Sequence, residues 1–165
     1  MKTVYLISPK TIKDNTMIDE NVDETFILQA IKDAQITLRE FIGKNIYSKL
    51  CSMVSGETPW VEEYKTLLDD YIQTWLCYQV SSTICLPLNY KLRQQGVVQA
   101  NDQHYATTNH KDMESVVSHY AHLADHYLMR IGETILAANS VFDVQCGCGL
   151  YTKALTNHCP IHFRK

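Results

Sequence analysis

DETFILQAIKDAQITLREFIG, residues 23–43, decides how this chain is built. Its apolar residues Ile27, Ala30, Ile31, Ala34, Leu38 and Phe41 recur at steps of three and four, the spacing of one face of an α-helix. Asp23, or Asn21 just before it, can cap the first turn, and Asp23 and Glu24 suit the positive end of the helix dipole. Gly43 stops the pattern, as a glycine in the left-handed position after a helix does. The stretch predicts an amphipathic helix of about 18 residues.

Working outward, Ser8-Pro9 reads as a cap followed by proline in the first helical position, and predicts a short turn through Ile12. Downstream, residues 44–54 predict a shorter helix with Ile46, Tyr47 and Leu50 on one face, broken by Ser55-Gly56. Thr58-Pro59 repeats the cap-then-proline signal. It is followed by Trp60, Tyr64, Leu67, Leu68, Tyr71, Trp75 and Tyr78, again at helical spacing. The stripe predicts a long helix ending before Pro87, and its regular spacing reads as core or subunit contact rather than a ligand pocket.

Residues 88–109 lose the helical period, and 91–99 hold a central Gly96 and two valines, which predicts an extended arm or a hairpin. A last helix over about residues 112–138 would bury Met113, Val116, Val117, Tyr120, Ala124, Tyr127, Leu128, Ile131 and Ile135. After Asn139 the pattern dissolves. The expected fold is mainly α: a small helical bundle over residues 1–142, with the arm at 88–109 and an irregular tail at 143–165.

Bulk properties set the class. With 165 residues the chain can bury one real core, and its 45% hydrophobic and 20% charged content is that of a soluble globular domain. A net charge of −3 argues against a nucleic-acid binder, which carries a basic face. No run approaches the ~20 apolar residues of a membrane span, so no membrane role is expected. The opening residues lack the apolar region of a secretion signal, which predicts a non-secreted protein. Cys51, Cys77 and Cys85 fall in helical stretches and read as small buried hydrophobes in a reducing compartment.

Three groups of residues could carry chemistry. Cys146, Cys148, Cys159 and His162 could surround a structural zinc, with Gly147 and Gly149 letting the backbone turn tightly. The spacing departs from a zinc finger, because the first pair is C-x-C and ten residues separate the pairs. The plainer reading is a reduced tail packed on a neighbour. No carboxylate in the tail is placed as a base, so a catalytic zinc is not expected. His119, His122 and His126 share a face of the last helix, with Glu133 beside it. No H-E-x-x-H frame accompanies them, and a solvated or interface face is the simpler account. Asp19, Glu20, Asp23 and Glu24 could attract a hard cation, but helix-end electrostatics explains them. No nucleophile elbow, phosphate loop or dinucleotide fingerprint appears, and the chain reads as non-enzymatic.

The order of features resembles a known family. YLISPKTIK is followed by NVDETFILQAIKDAQITLREFIGKNIYSKL, then EEYKTLLDDYIQTWLCYQV, then QQGVVQAND, and last RIGETILAANSVF. Together they are similar to the head–tail connector, or neck, proteins of tailed bacteriophages, with the nearest likeness to phages of gut Bacteroidetes, including the crAss-like group. The likeness covers roughly residues 4–142 and rests on order and spacing, with no catalytic motif. It implies a ring, usually dodecameric, docked beneath the portal protein. The ring would extend the DNA channel, let DNA pass without sequence preference, and dock the next neck or tail component. It also implies contacts to a neighbouring subunit or the portal from Lys91, Arg93, Gln95, Gly96, Val97, Val98 and Gln99, and from Phe163 and Arg164 in the tail. The other reading of the residues is a small zinc-binding regulatory or protein-interaction module built on the tail's cysteines and histidine.

Overall fold

The computed structural model describes residues 4–93, 96–99, 110–138 and 140–142. The elements run α1 (Pro9–Asn15), α2 (Glu24–Ile42), α3 (Lys44–Val54), α4 (Glu62–Thr66), a π-helical turn (Leu67–Ile72), α5 (Gln73–Asn89), β1 (Tyr90–Arg93), β2 (Gly96–Gln99) and α6 (His110–Ala137). The fold is the mainly α bundle expected, and the arm contains a hairpin. Its strands pair antiparallel, with Tyr90 opposite Gln99 and Arg93 opposite Gly96.

The helix ends show why these segments form. Ser8 accepts a hydrogen bond from the Thr11 N–H at 3.1 Å, with Pro9 next to it, and starts α1. Asp23 accepts from the Thr25 N–H at 2.8 Å and caps α2. Gly43 ends α2 and begins α3 with no intervening residue, at φ 87 and ψ 154. This is not the left-handed helical conformation expected from the sequence. It is an extended positive-φ conformation open essentially to glycine alone, and it sets the angle between the two helices. At the end of α3, the Gly56 N–H reaches the Met53 carbonyl and the Glu57 N–H reaches that of Ser52, a Schellman closure with Gly56 at φ 78.

Two expected boundaries differ. The long helix begins at Glu62, not at Thr58-Pro59. Thr58 is instead bound back to α3: its N–H donates to the Ser52 carbonyl at 3.2 Å and its hydroxyl pairs with that of Ser52. Trp60 therefore lies outside the helix and is exposed. At the other end, α5 runs through Pro87 to Asn89. The missing proline N–H removes one bond near the end of the helix, and two further residues complete it.

All six helices and the π turn contribute to the core, with Ile12, Ile31, Leu38, Leu50, Leu67, Ile72, Leu76, Ile131 and Ile135 fully enclosed. α5 makes its broadest contact with α6 and also packs on α2. Ring pairs give the direction of the α5–α6 pair: Tyr64 meets Phe142, Tyr71 meets Arg130, and Tyr78 meets Tyr120 and Tyr127. Later residues of one segment face earlier residues of the other, so the pair is antiparallel. Val116, expected in the buried stripe, is exposed.

The N-terminal segment is strapped on by a polar group in the core. Gln35 is 4% exposed on the apolar face of α2. Its Oε1 accepts from the Leu6 N–H at 2.8 Å, and its Nε2 donates to the Val4 carbonyl at 3.0 Å and to Tyr47 Oη at 2.7 Å. Leu6 and Ile7 are buried by this docking.

Candidate functional site

The hairpin follows from its neighbours. α5 passes into β1 without a connecting residue, so the helix end sets where the first strand begins. The antiparallel packing of α5 on α6 places the hairpin at the end of the pair where α5 finishes and α6 starts. The opposite end holds Tyr64 and Phe142, whose ring centroids lie 4.7 Å apart. Phe142 is fully buried, after a turn in which the Val141 and Phe142 N–H groups both reach the Ala138 carbonyl. The chain continues past Phe142 from that end. A helix of 28 residues, the length of α6, spans about 42 Å. The hairpin and Phe142 thus lie at opposite ends of a rod of that length.

The hairpin is a two-stranded sheet with no third strand paired to it among the described residues. Lys91 stands opposite Val98 and Leu92 opposite Val97. A two-stranded ribbon is marginal alone in water, and among the described residues no strand pairs with either outer edge, which carries backbone donors and acceptors. Of the contact residues expected from the resemblance, Lys91, Arg93, Gly96, Val97, Val98 and Gln99 come together in this hairpin. Gln95 lies outside the described residues, as do Phe163 and Arg164. Cys146, Cys148, Cys159 and His162 also lie outside them.

His119, His122 and His126 are exposed on α6. Among the described residues no three His, Cys, Asp or Glu side chains are grouped as metal ligands. In the acidic stretch, Asp19 Oδ1 accepts from the N–H and the side-chain amide of Asn21, and Asp23 holds the start of α2. The Thr25 hydrogen bonds keep the Asp23 carboxyl below its usual range. Burial pushes the Cys77 thiol up to about 11 and also raises Cys51 and Cys85, so all three stay protonated near neutrality. Among the described residues no helix is long and apolar enough to cross a membrane.

Two features escaped the sequence reading. Gln35 interrupts an apolar stripe, and only its partners show why. Val116, a valine at core spacing, is exposed near the start of α6, the hairpin end of the bundle.

A family model matches residues 18–145, and the chain belongs to that family, described as "Family of unknown function (DUF6712)". The match takes in α2 through α6 and the hairpin, and it stops one residue short of Cys146. No curated protein matches the chain. No solved structure matches it either.

Proposed function

We propose that this chain is a structural subunit of a bacteriophage neck: a head–tail connector that forms a ring under the portal and carries the next neck or tail component. The observation that carries the proposal is the placement of the hairpin at one end of the α5–α6 rod, with the Tyr64–Phe142 ring pair closing the other. A ring whose subunits meet head to tail needs two unlike faces on each copy. A rod whose two ends differ can contact a neighbour in the ring with one and an adjacent ring with the other.

Four further points support the reading. The order of sequence motifs resembles that of connector proteins. The open edges of the ribbon suit pairing with a neighbouring chain. Val116, 44% exposed near the hairpin end, adds apolar surface where such a contact would form. A chain of net charge −3 also suits a channel through which DNA slides, since a strongly basic wall would hold it. The role requires no catalytic group, and it places the chain in the virion.

Hydrogen exchange tests the proposal. Backbone amides of Tyr90–Arg93 and Gly96–Gln99 should exchange faster in the isolated chain than in purified particles, because the outer edges of the ribbon become paired on assembly. Equal exchange in the two states would count against the hairpin as the assembly contact.

A further inference from the structure

The outer ridge of α6 carries HLADH, residues 122–126. His122 and His126 are both exposed, on the side of the helix away from Ala124 and Ile131, which are buried against the bundle. Side chains four residues apart on a helix are neighbours, with Cβ atoms about 5–6 Å apart. This is the spacing at which zinc-binding helices present two imidazoles to one ion. α6 makes its broadest contact with α5, so the bundle holds the helix, and with it the spacing of the pair.

The surroundings select the kind of ion. Asp125 is exposed beside His126, three residues on from His122, and puts a negative charge next to the pair. Arg130, one turn beyond His126, lies over the Tyr71 ring of the π turn, 5.8 Å from its centre. Among the described residues no hydrogen bond engages the ring nitrogens of either histidine. The His126 ring stands edge-on to that of Tyr127, with 5.8 Å between centroids, and binding exchanges that contact for the ion. Exposed side chains change rotamer within nanoseconds, so the exchange is not hindered. A hard cation such as Mg²⁺ or Ca²⁺ needs about six or more oxygen ligands, which this ridge does not offer. Imidazole nitrogen suits Zn²⁺, Ni²⁺ and Cu²⁺.

We propose that His122 and His126 form a two-point chelate for a divalent transition-metal ion of the Zn²⁺ class. Each neutral imidazole gives one ring nitrogen, and water fills the remaining positions. His119 lies one turn earlier with its ring against Tyr120, and no group of three ligands exists among the described residues, so the pair holds the ion without it. The site lies in the middle of α6, away from the hairpin, and does not depend on the neck assignment.

The test is a titration of the full, untagged chain with Zn²⁺ at neutral pH, followed by NMR of the backbone amides and histidine rings. Signals read residue by residue keep any zinc taken up by the cysteines of residues 146–159 separate from this site. Zn²⁺ should give saturable shifts at His122, Asp125 and His126, and Mg²⁺ should not. His122→Ala and His126→Ala, both at exposed positions, should keep the native spectrum and weaken zinc binding here about tenfold or more. His119→Ala should bind as the parent chain does. No saturation at these residues by about 1 mM zinc, an equal response to Mg²⁺, or unchanged binding in either His122→Ala or His126→Ala would overturn the proposal. A loss in His119→Ala as large as theirs would overturn the two-point assignment.

Discussion

Replacing Gln35 with leucine keeps the volume of the side chain and removes the three hydrogen bonds that strap the N-terminal segment to the core. The Leu6 N–H, bound at 2.8 Å in a buried position, would be left without its acceptor. Leaving a buried donor unsatisfied costs about 1–3 kcal/mol. The Val4 carbonyl and the Tyr47 hydroxyl lie in partly buried surroundings and can regain water, so each adds about 0.5–1 kcal/mol. Leucine recovers part of this by burying more apolar surface. The expected net loss for Gln35→Leu is about 2–3 kcal/mol, a large share of the ~5–15 kcal/mol by which a domain is stable. Tyr47→Phe removes one of the three bonds and should cost about 1 kcal/mol. Urea denaturation of the two variants against the parent chain gives both numbers, with an unchanged m-value showing that the unfolded state is the same. Hydrogen exchange at Leu6 should accelerate in Gln35→Leu and stay slow in Tyr47→Phe. A Gln35→Leu loss no larger than that of Tyr47→Phe, with Leu6 still protected, would refute the strap.

The π turn yields a prediction by deletion. Tyr64, Leu68, Ile72, Leu76, Val80 and Ile84 are all buried and recur every four residues. On an ideal α-helix that row advances about 40° per step, or about 200° from first to last. Removing the exposed Asp70 narrows it to about 120° at 3.6 residues per turn. The deletion variant should therefore fold with one unbroken α-helix from Glu62 onward and retain its denaturation midpoint; an unfolded or partly folded product would refute the geometry. Gly43→Ala should cost about 1–3 kcal/mol in urea unfolding, because φ 87 with ψ 154 strains any other residue, and a loss under ~0.5 kcal/mol would contradict it. Burial raises the Cys77 thiol from 9.0 to about 11, so below pH 9 it is protonated in both folded and unfolded states and adds no pH dependence. Between the two values the unfolded chain loses the proton first, and stability should fall as pH rises. Midpoints measured from pH 8 to 11 should show that fall, and Cys77→Ala should lessen it, leaving the part contributed by Cys51, Cys85 and Tyr47, which burial also raises.

Local signals carried their information well where the backbone acts on its immediate neighbours. Ser8-Pro9, Asp23 and the Ser55-Gly56 break all act within a turn, and each marks a helix end in the structure. The bounds of α3 follow from the same kind of signal. Thr58-Pro59 failed because the cap residue was taken by α3, a competition that no window centred on Thr58 contains. The π turn was legible in principle, as a strict four-residue repeat in place of a mixed three-and-four one. Gln35 was not, since its partners Val4, Leu6 and Tyr47 come from elements that meet only in the folded chain. The hairpin was foreshadowed by the loss of helical period around Gly96. Its position at one end of the bundle depends on the antiparallel packing of α5 and α6, which periodicity does not encode.

Peptide mass spectrometry on gradient-purified particles of the phage encoding this chain tests the neck assignment most directly, with abundance scaled to the portal protein. The account predicts that the chain is present in particles at a ratio near parity with the portal. Its absence from particles, together with abundance in the infected-cell lysate, would contradict the account.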